Sequence, residues 1–298
     1  MTVAVSPHTA MLHRIGSVSV TKVVEQCGPG FAPDFLFPDW DPALLQEHRG
    51  LMVPDCFSES EGKFIASIHS WLVRTRHHTI LIDTCAGNGK HRPVTPRFHM
   101  LATPYLARLA AAGVTPEEVD FVLCTHLHAD HSGWNTRLLD GRWVPTFPNA
   151  RYVFSKTEQD HWSGSVGKEG FNAGVYDDSV LPVVESGQAL VIDGAGTVGD
   201  GLLFEPTPGH SPGHVAVRLQ DGGQEALFSG DVMHQPLQIF QPGWNSRFCI
   251  DASQARASRR WLLDTAAERR ATVFTAHFGS SSAGHVSRHG DAYGWQFA

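Results

Sequence analysis

The chain has 298 residues, 42% hydrophobic and 18% charged, a balance that can bury a substantial core without disulfide or metal staples. A formal net charge of −7 and the lack of any Lys/Arg run exclude a phosphate-tracking surface, so nucleic acid is not expected as a partner. The five cysteines (Cys27, Cys56, Cys85, Cys124, Cys249) are odd in number and contain no Cys-x-x-Cys pair, which excludes a disulfide framework and a zinc knuckle and points to a reducing cytoplasm.

Residues 1–25 lack the basic start and unbroken apolar stretch of a secretory leader, because Ser6, His8 and His13 interrupt them. No apolar run reaches the length of about eighteen residues that a membrane span needs, so no membrane partner is expected. A single domain over residues 1–298 is the organisation predicted.

Gly16–Glu25 alternates and is β-branched, which predicts an opening strand. Residues 27–62 are rich in Pro, Gly, Phe and Trp and read as an inserted loop region with one short helix near Pro42–His48. Lys63–Arg74 and His78–Asp83 predict adjacent antiparallel strands, and Thr103–Ala112 predicts a helix. Thr115-Pro116-Glu117-Glu118 supplies a cap, a proline at the first helical position and early acids. Phe121–Cys124 is continuously apolar, as in a strand buried on both faces. Arg151–Phe154 predicts another strand, after which Ser155-Lys156-Thr157-Glu158 reads as a capping box. Residues 163–180 read as a flexible, glycine-rich loop.

Gly201–Glu205, His214–Leu219 and Ala226–Ser229 predict short strands, Ala252–Arg270 a helix capped by Asp251, and Thr272–Thr275 a final strand. The strands fall into two runs separated by helices, an α/β order that suits two sheets sandwiched between helices.

Polar chemistry begins where the buried strand ends, at Thr125-His126-Leu127-His128-Ala129-Asp130-His131. A tight turn can aim several imidazoles and a carboxylate at one point, whereas alternate residues of a straight strand face opposite ways. Eighteen histidines will form some clusters by chance, and a lone His-x-His is more often incidental. Four ligand-type side chains within six residues outweigh that reading. Imidazole and carboxylate without thiolate suit zinc, manganese, iron or cobalt.

THLHADH resembles the His-x-His-x-Asp-His signature of the metallo-β-lactamase-fold superfamily, which implies a four-layer αβ/βα sandwich. Further motifs match it at Thr207-Pro208-Gly209-His210, Phe228-Ser229-Gly230-Asp231 and Thr275-Ala276-His277. Leu81-Ile82-Asp83-Thr84 matches the strand-ending aspartate motif, except that Cys85 stands where a glycine is usual. By that resemblance two divalent metal ions, zinc foremost, are bound. His126, His128 and His210 hold one, Asp130, His131 and His277 the other, and Asp231 bridges them. His214 reads as structural and facing elsewhere, Asp83 as a group orienting a ligand. His77, His78, His285 and His289 match no motif and read as surface histidines.

Within the superfamily His131-Ser132-Gly133-Trp134-Asn135 and Asp231-Val232-Met233-His234 are similar to the group of acyl-homoserine lactonases and methyl parathion hydrolase. The resemblance implies opening of a lactone or cleavage of a carboxylic ester by a metal-bridging hydroxide, with Asp130 as proton shuttle. His234, where many lactonases carry a tyrosine, is assigned a hydrogen-bonding or acid role. A small, neutral, partly apolar substrate suits the charge balance, Phe31, Phe35, Phe37 and Trp40 are candidates for its pocket or for core, and a homodimer is one assembly open to the chain. Phosphotriester hydrolysis is the nearest alternative activity; an iron-dependent persulfide dioxygenase is the alternative of a different class.

Overall fold

A computed structural model describes residues 11–298; the leader expectation for residues 1–10 lies outside them. Two sheets hold their strands in chain order. The first runs β1 (Leu12–Ile15), β2 (Val18–Pro29), β3 (Lys63–Arg74), β4 (Thr79–Ile82), β5 (Phe121–Leu123), β6 (Arg151–Ser155) and β7 (Ala189–Ile192), with Phe57–Ser58 pairing on β3 as its eighth strand. Pairing is antiparallel from β1 to β4 and parallel from β4 to β7. The second runs β8 (Gly196–Val198), β9 (Leu202–Pro206), β10 (Val215–Asp221), β11 (Gln224–Phe228), β12 (Thr272–Phe274), β13 (Ala283–His289) and β14 (Ala292–Phe297), antiparallel except between β11 and β12.

Alternation along the strands sorts the core into layers. On β4, Ile80 and Ile82 face Val217, Phe228 and Phe274 of the other sheet, while Leu81 packs outward with Tyr105, Leu109 and Trp134. On β5, Leu123 faces inward and Val122 outward, which is why this strand carries no polar face. The second sheet turns Ala216, Leu227 and Val273 toward Leu262, Leu263 and Ala266 of the helix Ala252–Arg269. Helix, sheet, sheet and helix therefore form the mixed α/β sandwich.

The strand predicted over Gly16–Glu25 continues to Pro29 past a bulge between Val24 and Gln26, so the insertion begins in sheet. Its remainder holds three short helices, Pro33–Leu36, Pro42–Glu47 and Arg49–Met52, rather than one. They bury Leu36, Phe37, Leu45 and Met52 against Phe64, Leu237 and Trp244. Residues 163–180 are built from short 3-10 turns and a π-helical turn at Tyr176–Val180, which leads into the helix Leu181–Glu185. Turns this short display no 3.6-residue period, so the expectation of an irregular loop followed from the sequence pattern. The terminal hairpin β13–β14 had no counterpart in the predicted elements. Among the described residues no helix is long and apolar enough to cross a membrane.

Candidate metal centre

The candidate ligands leave the ends of strands in both sheets. After β5 the backbone bends at Thr125 and His126, is extended at His128 and then makes one helical turn, Ala129–Ser132, which carries Asp130 and His131. Asp83, just past β4, ties this turn down. Its Oδ1 accepts from the Thr125 N–H at 2.8 Å, and its Oδ2 lies 2.9 Å from His131 Nδ1. Asp83 and Cys85 adopt left-handed conformations, φ 57° and 52°, so the position where the resemblance leads one to expect glycine does require that backbone. Gly133 lets the turn approach the β4 end, since a Cβ there would fall 1.9 Å from the Ala86 carbonyl oxygen.

His210 sits on a loop closed by the Thr207 N–H donating to the His214 carbonyl (2.9 Å). That loop is also fixed to the head of the long helix, where Asp251 donates its N–H to the Gly209 carbonyl (2.9 Å) and caps Ser253 and Gln254. Asp231 follows β11, and His277 follows β12. The His277 ring is latched to β3, with Nδ1 3.2 Å from the Ser67 carbonyl.

All seven side chains converge. His126 Nε2 and His210 Nε2 lie 2.9 and 3.0 Å from His128 Nδ1, and Asp231 Oδ2 stands 3.3 Å from His210 and 3.9 Å from His126. On the other side His131 Nε2 and His277 Nε2 are 3.2 Å apart, and Asp231 Oδ1 is 3.2 and 2.9 Å from them. Asp130 reaches to 3.8 Å from His131 and 3.7 Å from His277. The two donor sets meet at this carboxylate, whose Oδ2 also comes within 3.2 Å of His277 Nε2.

These separations suit bound cations. Donors about 2.0–2.1 Å from a tetrahedral zinc ion lie roughly 3.3 Å from one another. Burial holds His126, His128 and His210 well below the usual imidazole range, which favours the neutral rings that can ligate a cation. Asp231 Oδ1 is buried without a hydrogen-bond partner among the described residues. Burial also disfavours charge on His131, but Asp231, Asp83 and Asp130 outweigh it and raise that imidazole well above its ordinary value. His277 is raised in the same way by Asp231 and Asp130. The donor set is imidazole and carboxylate throughout, and the arrangement is a site for two metal ions.

His234 lies beside this cluster, its Nε2 3.3 Å from Asp231 Oδ2 and 3.4 Å from Ser246 Oγ, with Nδ1 unpartnered among the described residues. His214 does not face elsewhere as expected. Its ring turns toward the centre, where Nε2 accepts the Asp231 backbone N–H at 2.9 Å and Nδ1 contacts Thr207 Oγ1 at 2.8 Å. His77, His285 and His289 are exposed, and half-buried His78 pairs with Asp200 at 3.0 Å, away from the cluster.

Three groups escaped the sequence reading. Glu158 is fully buried and does not close a capping box. Its Oε2 accepts from the Leu127 N–H (3.0 Å) and Trp162 Nε1 (2.8 Å), and its Oε1 from the Gly213 N–H (2.8 Å), joining the two histidine-bearing loops. Ser155 alone caps that helix, accepting from the Thr157 N–H. Glu25 accepts from Trp134 Nε1 (2.6 Å) and the Ala86 N–H (2.8 Å) behind the Asp83 turn. Arg97 lines the cavity over the centre. Trp134 within His-Ser-Gly-Trp-Asn was the one sequence cue to a buried acceptor such as Glu25, because a buried indole N–H needs a partner.

That cavity, of about 510 Å³, has His128, Asp130, His210, Asp231, His234 and His277 at its floor. Phe31, Phe35, Phe171 and Phe248 form a chain of rings around it, at centroid distances of 5.2–6.2 Å. Phe37 and Trp40 instead pack with Phe64 and Trp244.

Residues 66–277 match the family model of the metallo-beta-lactamase superfamily. The chain belongs to that superfamily. Among curated relatives, N-acyl homoserine lactonase AttM of Azorhizobium caulinodans is 32% identical over 125 residues, 40% of this chain and 43% of that one. The probable metallo-hydrolase YflN of Bacillus subtilis is 30% identical over 120 residues, 38% and 44% of the two chains. The chain spans just under half the length of the curated relatives it matches. The solved structure of the hydrolase AbOPH superposes with a TM-score of 0.81 at 24% identity, covering 97% of each chain. The dizinc quorum-quenching lactonase AidC superposes with a TM-score of 0.75 at 20% identity, also covering 97% of each. Identities this low carry the fold alone, and the fold is the superfamily's.

Proposed function

We propose that this member of the metallo-beta-lactamase superfamily is a metal-dependent hydrolase that opens lactones or cleaves carboxylic esters. The observation that carries the reading is the position of Asp231 between His210 on one side (Oδ2, 3.3 Å) and His131 and His277 on the other (Oδ1, 3.2 and 2.9 Å), beneath an apolar cavity. Two divalent cations held by these seven residues, zinc as the leading candidate, would supply an acidified water and an electrophile for the acyl oxygen.

The remaining roles fall to the chain. The phenylalanine rings bind the apolar part of the substrate and exclude bulk water. Asp130, partly buried, lines the cavity beside His131 and His277, placed to carry a proton between oxygens there. His234 reaches the same space and can donate a hydrogen bond to an oxygen of the substrate. AttM bears the name lactonase, which supports an acyl over a phosphoryl centre.

The test is elemental analysis of purified protein followed by a panel of acyl-homoserine lactones, simple lactones, aryl esters and paraoxon-type triesters. We expect two metal ions per chain and faster turnover of lactones and esters than of triesters. Faster triester turnover would reassign the reacting centre; oxygen uptake with glutathione persulfide on an iron-loaded site would replace hydrolysis altogether.

A further inference from the structure

Arg97 ends up where the sequence gives no reason to place a cation. It lies in the three-residue turn Pro96–Phe98, which with Val94 and Thr95 makes one wall of the cavity over the metal centre. Histidines apart, it is the one basic residue among the described residues lining that space, and the carboxylates there, Asp130 and Asp231, belong to the metal centre. The walls around it are Phe31, Phe35, Ile68 and Phe248.

Its hydrogen bonds hold the guanidinium in place without neutralising it. Nη1 donates to the Pro29 carbonyl (3.0 Å) and Nη2 to the Ala66 carbonyl (2.9 Å), while Nε is buried and has no acceptor among the described residues. A guanidinium offers five N–H donors in a rigid fork; two are used and the Nε–H is closed off, which leaves one N–H on each of Nη1 and Nη2. A cation kept in an apolar wall with unspent donors gains most from a bidentate oxyanion. Gly30 leaves room for it, since a Cβ there would come 3.1 Å from Nη1.

We propose that Arg97 is a specificity-determining residue that binds a carboxylate on the substrate, separate from the acyl group that is cleaved. The substrate class is then acidic: half-esters of dicarboxylic acids, or lactones bearing a free carboxylate, in place of the neutral compound that composition suggested. This deepens the hydrolase reading and rests on it.

The direct test compares mono-4-nitrophenyl adipate with its methyl ester on the metal-loaded protein. The acid should be preferred by about tenfold or more in kcat/KM, mainly through KM, and Arg97→Met should bring the two within about twofold. Equal use of both by the wild type, or an acid preference that survives R97M, overturns the assignment. A second arm needs no turnover: calorimetric titration of glutaramate and of neutral glutaramide. R97M should weaken glutaramate several-fold and leave glutaramide unchanged, whereas unchanged glutaramate would mean that Arg97 only clamps β2 to β3. If neither ester is cleaved, the hydrolase reading fails while this arm still decides for or against the carboxylate subsite. Should R97M not fold, Arg97→Gln keeps a donor without the charge and is expected to weaken glutaramate several-fold; unaltered binding would again overturn the proposal.

Discussion

The backbone N–H of Asp231 donates to His214 Nε2 at 2.9 Å, so the residue shared by both metal positions is held in place by a histidine that is not itself among the seven. Gly230 makes the contact possible, because a Cβ at that position would stand 2.5 Å from the same nitrogen. Replacing His214 by Ala strands a buried N–H and the Thr207 hydroxyl, at a cost of about 1–3 kcal/mol for each unmet group. The expected outcome is a lower Tm together with metal content below two per chain. A His214→Ala protein that keeps both metals and full turnover would remove the positioning role.

Glu158→Gln tests the strut between the two histidine loops. An amide nitrogen must then face one of the N–H donors of Leu127, Trp162 or Gly213, so one of those hydrogen bonds is lost. Metal affinity measured by chelator competition should fall about tenfold, and secondary structure by circular dichroism should not change. Affinity equal to the wild type would show that the loops hold their places without it.

Cys85 offers a comparison of backbone alone. Cys85→Ala and Cys85→Gly both lose the buried thiol, but only glycine is at ease at φ 52°. The glycine variant should be the more stable of the two by about 1 kcal/mol in urea unfolding. The reverse order would contradict the backbone assignment.

Protonation of the metal-free protein has a definite sign. His126, His128 and His210 have lowered pKa values, so the folded state binds fewer protons than the unfolded one, and their stabilisation is lost as pH falls below 6.5. His131 and His277 are raised, so their contribution is complete below 6.5 and is lost as pH rises through their folded values. Lys90 and Lys22, lowered by burial to about 7 and about 8, oppose that alkaline loss, so the definite sign is on the acid side: stability of the metal-free protein should fall as pH drops below 6.5. Stability that is unchanged between pH 6.5 and about 5 would contradict the lowered histidines.

His234→Ala separates a chemical from a structural role. His234 also groups with His210 and Asp231 as a possible donor, so metal content is read beside turnover: a chemical role lowers kcat about tenfold or more and changes its pH dependence with both metals kept. Unaltered turnover and pH profile would remove His234 from the chemistry.

Much of this architecture was legible in the chain because the relevant physics is local. β-Branched runs such as Gly16–Glu25 and the apolar Phe121–Cys124 encode sheet through alternation or its absence, and four ligand-type residues within His126–His131 encode a metal turn through density alone. What short-range pattern could not carry was the partner of each side chain. Glu158 has the spacing of a helix cap, and His214 that of a residue opening a strand. Arg97 belongs to a segment without period, yet each acquires its contacts from strands or loops far away in sequence. Tertiary structure decided these because a buried donor or charge takes whichever acceptor the packing brings near, and that choice is made between segments, not within them.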